Sequence, residues 1–394
     1  MISALLVDLD GTLLENRMDV FLPAYLELLG QFIEAQTNLK GFIRQLLRST
    51  EEMLGNQDPL STLEEAFASS MYPALGVDAE DMRPLLEAFY RDHFPELRKL
   101  TAPIPGANAL IQFAKREKLE IVIATNPLFP RTAIIQRLEW AGLGSEIDNF
   151  TLVTTYEAFH NAKPSPSYYA EILGRLGRGP GEAAMIGDDC ENDIQPASVL
   201  GVCGFHMAPS GISQHAPSAG PLDQSIIWIE RLKQQPEYPQ TLSPQAALAR
   251  LHGQLSALDA FTRLLPEDLW HLRPQPREWA PVEIIAHLRD VELEVNLPRI
   301  EAMLNQAAPF VPAADPDQWA EQRGYHRQDG PQAMADFASA RMRTLAILKS
   351  LPDEAWARSA LHAIFGPTSL LEIMMLAADH DLLHLRQLRS SLTP

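Results

Sequence analysis

The chain is poor in cysteine, in basic residues and in long uncharged apolar runs. Only Cys190 and Cys203 occur among 394 residues, too few for a disulfide framework and too far apart for a Cys-x-x-Cys site. The expected compartment is therefore reducing. Lysine and arginine number 32 against 51 acids, a formal charge of −19. Binding to a polyanion depends on Lys and Arg releasing counterions, so nucleic acid is not an expected partner. No stretch reaches the length of an uncharged membrane span, and the apolar run from Leu370 to Ala378 is broken by Glu372. The first residues lack a basic flank, and their apolar run stops at Asp8 and Asp10, so neither a signal peptide nor a membrane partner is expected. A cytoplasmic protein follows as the expectation.

What is present exceeds one hydrophobic core. A length of 394 residues predicts two or more domains, and an apolar fraction of 46% with 21% charged residues is ordinary for globular chains. The chain opens on Ala4-Leu5-Leu6-Val7, a strand buried on both faces, which runs directly into Asp8-Leu9-Asp10-Gly11-Thr12. Residues 15–100 read as an all-helical insertion, with Ser61-Thr62-Leu63-Glu64 as a capping box. Strands are then predicted at Leu119–Ala124, Phe150–Thr155 and Ala183–Ile186. They alternate with helices at Ala107–Arg116, Thr132–Trp140, Tyr168–Leu176 and Ile194–Leu200. Such alternation predicts an α/β parallel sheet with helices on both faces.

Polar clusters follow the apolar strands: Asp8 with Asp10, Thr125 with Asn126, Lys163 in its loop, and Asp188 with Asp189 and Asp193. In a parallel sheet the loops beyond the carboxyl ends of the strands form one crevice, so these clusters are expected to converge. Carboxylates gathered at one point raise each other's pKa unless a cation neutralises them, and Mg²⁺ suits an oxygen donor set that also admits phosphate. In that setting Asp8 is the candidate nucleophile and Asp10 the candidate acid and base. Thr125, Asn126 and Lys163 would hold the phosphoryl oxygens, Asp8, Asp10 and Asp188 the metal, and Asp193 its waters or Lys163.

Over residues 1–235 these motifs, in this order, resemble the haloacid dehalogenase (HAD) superfamily. The resemblance implies a Rossmann-like core formed by residues 1–14 and 101–235, Mg²⁺ dependence, and a helical cap at 15–100 that closes over the site. It also implies that an acid at Asp10 favours a phosphatase over a dehalogenase, acting on a small phosphorylated metabolite through an aspartyl-phosphate.

A linker is expected at residues 236–244, after which strand-like alternation is missing and helical periods recur at Gln245–Leu265, Val282–Leu304, Gln332–Leu351 and Leu370–Leu388. These predict an all-α four-helix bundle over 245–394 with an aromatic-rich core drawn from Trp270, Trp279, Trp319 and Trp356. His380 and His384 stand at i and i+4 on the last helix, Ser369 and Glu372 form a capping box at its start, and His287 lies on an earlier helix with Glu283 one turn before it. Three neutral imidazoles suit a divalent transition metal such as Zn, Ni or Fe, and Glu283 is expected to support or assist them. The segments Trp279–Leu288 and His380–Gln387 resemble the DinB/YfiT superfamily. That resemblance implies a divalent-metal site at His287, His380 and His384, and its members include transferases that use a low-molecular-weight thiol. Two alternatives stand beside the phosphatase reading: a bifunctional protein whose bundle is a metal- and thiol-dependent transferase or hydrolase, and a non-catalytic binding or stress-response module.

Overall fold

The computed structural model describes residues 1–37, 39–208, 218–234, 242–313 and 318–392. The expected linker at 236–244 lies largely outside them. Contacts divide the chain into two compact units, Met1–Tyr168 with Pro180–Pro239 and Tyr169–Gly179 with Gln240–Pro394.

The first unit is built on a parallel sheet. Its strands are β1 (Ala4–Val7), β4 (Glu120–Ile123), β5 (Leu152–Val153), β6 (Ala183–Gly187), β7 (Cys203–Met207) and β8 (Ala219–Gly220), in the order β5-β4-β1-β6-β7-β8. All four residues of β1 are fully buried, which is why the strand reads as a continuous apolar run. Helices α5 (Ala107–Arg116), α6 (Arg131–Trp140), α8 (Gln195–Leu200) and α9 (Leu222–Gln234) accompany the sheet. Strands β7 and β8 are not predicted from the sequence, because Gly204 and His206 break the apolar run of β7 and β8 has only two residues.

The insertion consists of α1 (Met18–Gln36), α2 (Phe42–Leu54), α3 (Leu63–Leu75) and α4 (Ala79–Asp92). It does not begin as helix, although a 3₁₀ helix at Phe94–Leu100 completes it. Two short strands, β2 (Leu14–Asn16) and β3 (Thr101–Pro103), pair antiparallel where the chain leaves and regains the core. The capping box sits one residue later than predicted. Thr62 caps α3, its hydroxyl accepting from Glu65 N at 3.2 Å and its own N–H donating to Glu65 Oε2 at 2.8 Å. Ser61 and Glu64 have the same spacing, but Thr62 has the extended backbone (φ −64, ψ 161) that a cap requires.

In the second unit the long helices are α10 (Pro244–Thr262), α11 (Pro281–Val291), α12 (Leu297–Asn305), α14 (Gly330–Lys349) and α15 (Leu370–Leu392), with a short α13 (Trp319–Gln322). The α11 and α12 helices are joined without a break by a π-helical turn at Glu292–Asn296, so they cover one predicted helix. Helix α10 packs on α14 and α15, as does α11, giving a four-helix core of mainly aliphatic residues. The predicted aromatic core is only partly formed. Trp270 and Trp356 are buried, Trp319 lies under the Arg323 guanidinium, and Trp279 lies beside the histidines. Three short strands, β9 (Phe310–Val311), β10 (Ser359–His362) and β11 (Gly366–Ser369), correct the expectation of a region without strands. Each has at most four residues, below what period-two patterning can reveal. The remaining helix, α7 (Pro166–Leu176), lies mostly in this unit, where Arg386 Nε donates to the Gly177 carbonyl at 2.6 Å.

Among the described residues no helix is long and apolar enough to cross a membrane.

Candidate functional site

Register explains why the polar loops of the first unit meet. Val7 at the end of β1 pairs with Ile123 on one side and Ile186 on the other. The residues that follow each strand, Asp8, Thr125 and Asp188, therefore emerge at the same edge. Asp8 N donates to the Ile186 carbonyl at 2.9 Å, and Ala124 N donates to the Val7 carbonyl at 2.8 Å. Lys163 enters from a separate loop. Its ammonium lies 2.7 Å from Asp8 Oδ1 and 2.5 Å from Asp193 Oδ1, and all three residues are buried. Asn126 Oδ1 accepts from Lys163 N at 3.2 Å, so the Thr125-Asn126 segment holds the lysine loop in place. The Thr125 carbonyl is fixed in turn by the Tyr168 hydroxyl at 2.8 Å and the Thr154 hydroxyl at 2.7 Å.

Oxygens of Asp8, Asp188 and Asp193 lie within 4.8 Å of one another. Burial pushes the Asp8 carboxyl up to about 7, Asp193 and Asp10 add to the rise, and Lys163 opposes it. Burial and the charge of Asp8 likewise raise Asp188 to about 7, and burial raises Asp193. One ammonium thus leaves an excess of negative charge, and the donors are all hard oxygens, which fits a divalent cation of the Mg²⁺ type. Two glycines make the approach possible. Gly11 has a φ of +88°, and a Cβ there would collide with the Asp188 carboxylate; one on Gly187 would collide with the Asp193 carboxylate.

Asp10 is held on both oxygens. Asn16 Nδ2 donates to Oδ1 at 2.8 Å, and the buried Arg137 guanidinium pairs with Oδ2. Neither partner is anticipated by the sequence reading. Asn16 follows Asp10 by six residues with no motif around it, and Arg137 stands on a helix where a basic residue reads as solvated surface. Asp189 is a helix cap, its Oδ1 accepting from Glu191 N at 2.8 Å and Asn192 N at 3.1 Å. His206, which carries no motif, contacts the site by its Nε2, 2.8 Å from the Asp188 carbonyl.

In the second unit α11 and α15 bring the predicted histidines together. His380 Nε2 lies 3.2 Å from His287 Nε2 and 3.1 Å from His384 Nε2. Burial and the neighbouring imidazoles lower His287 to about 3 and His384 to about 4, so these two rings are neutral at pH 7. His384 Nδ1 lies 2.9 Å from Gln387 Oε1, an acceptor that places the ring proton on Nδ1 and leaves the Nε2 lone pair facing the other rings. Three converging imidazole nitrogens fit a borderline transition metal and do not suit Mg²⁺. The Trp279 ring stacks on His384 with centroids 5.8 Å apart at an interplanar angle of 3°.

Glu283 does not face this centre. Its carboxylate accepts from Arg273 Nε at 2.8 Å and from the Ala280 N–H at 2.9 Å, so it caps α11, and the expectation that it supports the histidines is corrected. The predicted Ser369 capping box forms, with Ser369 N donating to Glu372 Oε2 at 2.7 Å and Glu372 N to Ser369 Oγ at 3.2 Å. Behind His380, Asp381 pairs at 2.5 Å with the buried Arg341, which also binds Glu292 at 2.9 Å.

Comparison with known proteins agrees with both halves. Residues 250–388 match the DinB superfamily, and residues 2–201 match the haloacid dehalogenase-like hydrolases. The phosphoserine phosphatase of Thermus thermophilus is 28% identical over 251 residues, covering 55% of this chain and 92% of that protein. The ribulose-1,5-bisphosphate 5-phosphatase of Halopiger xanaduensis is 30% identical over 139 residues, 35% of this chain and 54% of that protein. Among solved structures, a HAD phosphatase from Thermococcus onnurineus covers 58% of this chain and 98% of its own, at 20% identity and a TM-score of 0.38. The four-helix-bundle protein YfiT from Bacillus subtilis covers 39% of this chain and 87% of its own, at 16% identity and a TM-score of 0.35. The chain belongs to the haloacid dehalogenase-like hydrolases and carries a DinB-superfamily segment in its second unit.

Proposed function

We propose that the first unit is a Mg²⁺-dependent phosphohydrolase that cleaves a small phosphate monoester through an aspartyl-phosphate on Asp8. The observation that carries this is the Lys163 ammonium seated between Asp8 and Asp193, with Asp188 beside them. Asp8 and Asp188 would hold the cation, which supplies charge neutralisation at the phosphoryl group; Asp193 orients Lys163. Asp8 attacks phosphorus and the bond to the alcohol oxygen breaks, while Asp10 gives a proton to the departing alkoxide. Asp10 then takes a proton from the water that cleaves the acyl phosphate, returning Asp8 and releasing inorganic phosphate. The Thr125 hydroxyl and Lys163 stabilise the phosphoryl oxygens, and Asn126 keeps Lys163 in position. The named phosphatases among the relatives support the same class of reaction.

Asp8→Asn should abolish phosphate release from monoesters in the presence of Mg²⁺ with the circular dichroism spectrum unchanged. Equal release by parent and variant would overturn the reading. Asp10→Asn should lower kcat by about 10²–10⁴-fold, the usual range for loss of a general acid.

The three imidazoles of the second unit support a second centre, a divalent transition metal held by His287, His380 and His384. Metal analysis should find one transition-metal ion in the parent and none in His384→Ala. A thiol-consuming reaction that chelation and His384→Ala both stop would make the protein bifunctional. A parent purified without such an ion, and unable to take one up, would remove this centre.

A further inference from the structure

Within the first unit the insertion and the loops behind the site line a partly open cavity of about 660 Å³, within the range of a small-molecule pocket. Its walls grow from both loops that carry the site. Leu128 and Phe129 follow Thr125 and Asn126, and α1, which supplies Leu22 and Leu26, begins two residues after Asn16. The Arg137 guanidinium that grips Asp10 lies 4.7 Å from the centroid of the ring of Phe129, a wall residue, so the wall packs directly on that clamp.

Two properties of the wall define an occupant. Leu26, Leu46, Phe67 and Phe129 make it mainly apolar, and of the four tyrosines on it Tyr25 and Tyr90 bond their hydroxyls to each other at 2.8 Å. Its charged residues are Glu64, Glu65, Glu87 and Glu157 against Arg83, so a further carboxylate or phosphate on the ligand meets repulsion. Burial and the neighbouring Glu157 already push the Glu64 carboxyl up.

We infer that this cavity receives the alcohol portion of the phosphate monoester, and that this portion is lipophilic and carries no second anionic group. The inference rests on the phosphohydrolase reading and adds the substrate class.

The test uses the full chain with Mg²⁺ and a series of straight-chain monophosphates from ethyl to octyl, with phosphoserine as the anionic comparison. The value of kcat/KM should rise by about fourfold per added methylene until the cavity is filled, and phosphoserine should fall below butyl phosphate. Leu46→Trp should lower the ratio of octyl to ethyl turnover. A flat or falling series with Asp8-dependent turnover, or a preference for phosphoserine, overturns the inference and leaves the phosphohydrolase reading intact. If no ester is turned over, binding of ethyl- and octylphosphonate by calorimetry decides. Tighter octyl binding that Leu46→Trp weakens supports the cavity assignment while the phosphohydrolase reading fails; equal binding overturns the assignment as well.

Discussion

Arg137 and Asp10, 127 residues apart in sequence, form a buried ion pair at the edge of the candidate active site. The guanidinium is almost wholly enclosed, with Nε and Nη2 lacking hydrogen-bond partners among the described residues. Removing one member of such a pair leaves an uncompensated charge and costs about 3–5 kcal/mol. Arg137→Met should therefore lower the unfolding free energy of the first unit by about that amount, and Arg137→Lys by less. Chemical denaturation followed by fluorescence measures both, and a loss under about 1 kcal/mol would show that the pair contributes little.

A second prediction concerns Lys163 and pH. Asp8 has a folded pKa of about 7, above the unfolded value of about 3.9. A carboxyl raised in this way costs stability as pH climbs from the unfolded value through the folded one. Lys163→Met removes the opposing charge, so without divalent cations the variant should lose more stability between pH 5 and pH 8 than the parent. Added Mg²⁺ should narrow the difference. Urea midpoints at the two pH values check it, and identical pH slopes would refute the electrostatic role of the lysine.

The histidine centre predicts the opposite slope. His287 and His384 have folded values of about 3 and about 4, below the unfolded value of about 6.5. The unfolded chain then binds more protons across that window, so the stability of the metal-free second unit should be present above pH 6.5 and fall as pH drops towards 4. His287→Gln should flatten the slope. A divalent transition metal that binds only the folded unit should add about 2.7 kcal/mol at a hundred times its Kd, seen as a rise in Tm at pH 7.

Arg341 offers a fourth test. It is buried and satisfies Asp381 and Glu292 together, and its charge outweighs the burial that would otherwise raise Asp381, holding that carboxyl well below the usual range. Arg341→Met should cost about 3–5 kcal/mol and should also weaken metal uptake, because Asp381 neighbours His380. Full metal occupancy in a destabilised variant would confine Arg341 to folding.

The strand-end acids and the histidine pair were legible because each carries local information: an apolar run of fixed length before a carboxylate, or two imidazoles one helical turn apart. Lys163 was readable as one of the polar clusters that follow an apolar strand, and its two carboxylate partners followed once the strands shared a sheet. Arg137, Asn16 and Arg341 were not readable, since each acts through a partner set by tertiary packing. Glu283 shows the reverse error. Its position one turn before His287 suggests support for the histidines, but the nearer claim of the Ala280 N–H and Arg273 settles its orientation. The capping box moved by one residue because adjacent Ser61 and Thr62 offer the same spacing, and only the backbone distinguishes them.

The pairing of β2 with β3 bears on chain entropy as well as on shape. The central strand β1 must find β4 far along the sequence, Leu5 opposite Ile121, and closing a loop of that length is entropically costly. Once Leu14–Asn16 and Thr101–Pro103 are hydrogen bonded, the helices between them drop out of that loop, and β1 and β4 are joined by two short connections. The sheet then closes at nearly the cost of a local one, with Asn16, a member of the pairing, already placed beside Asp10.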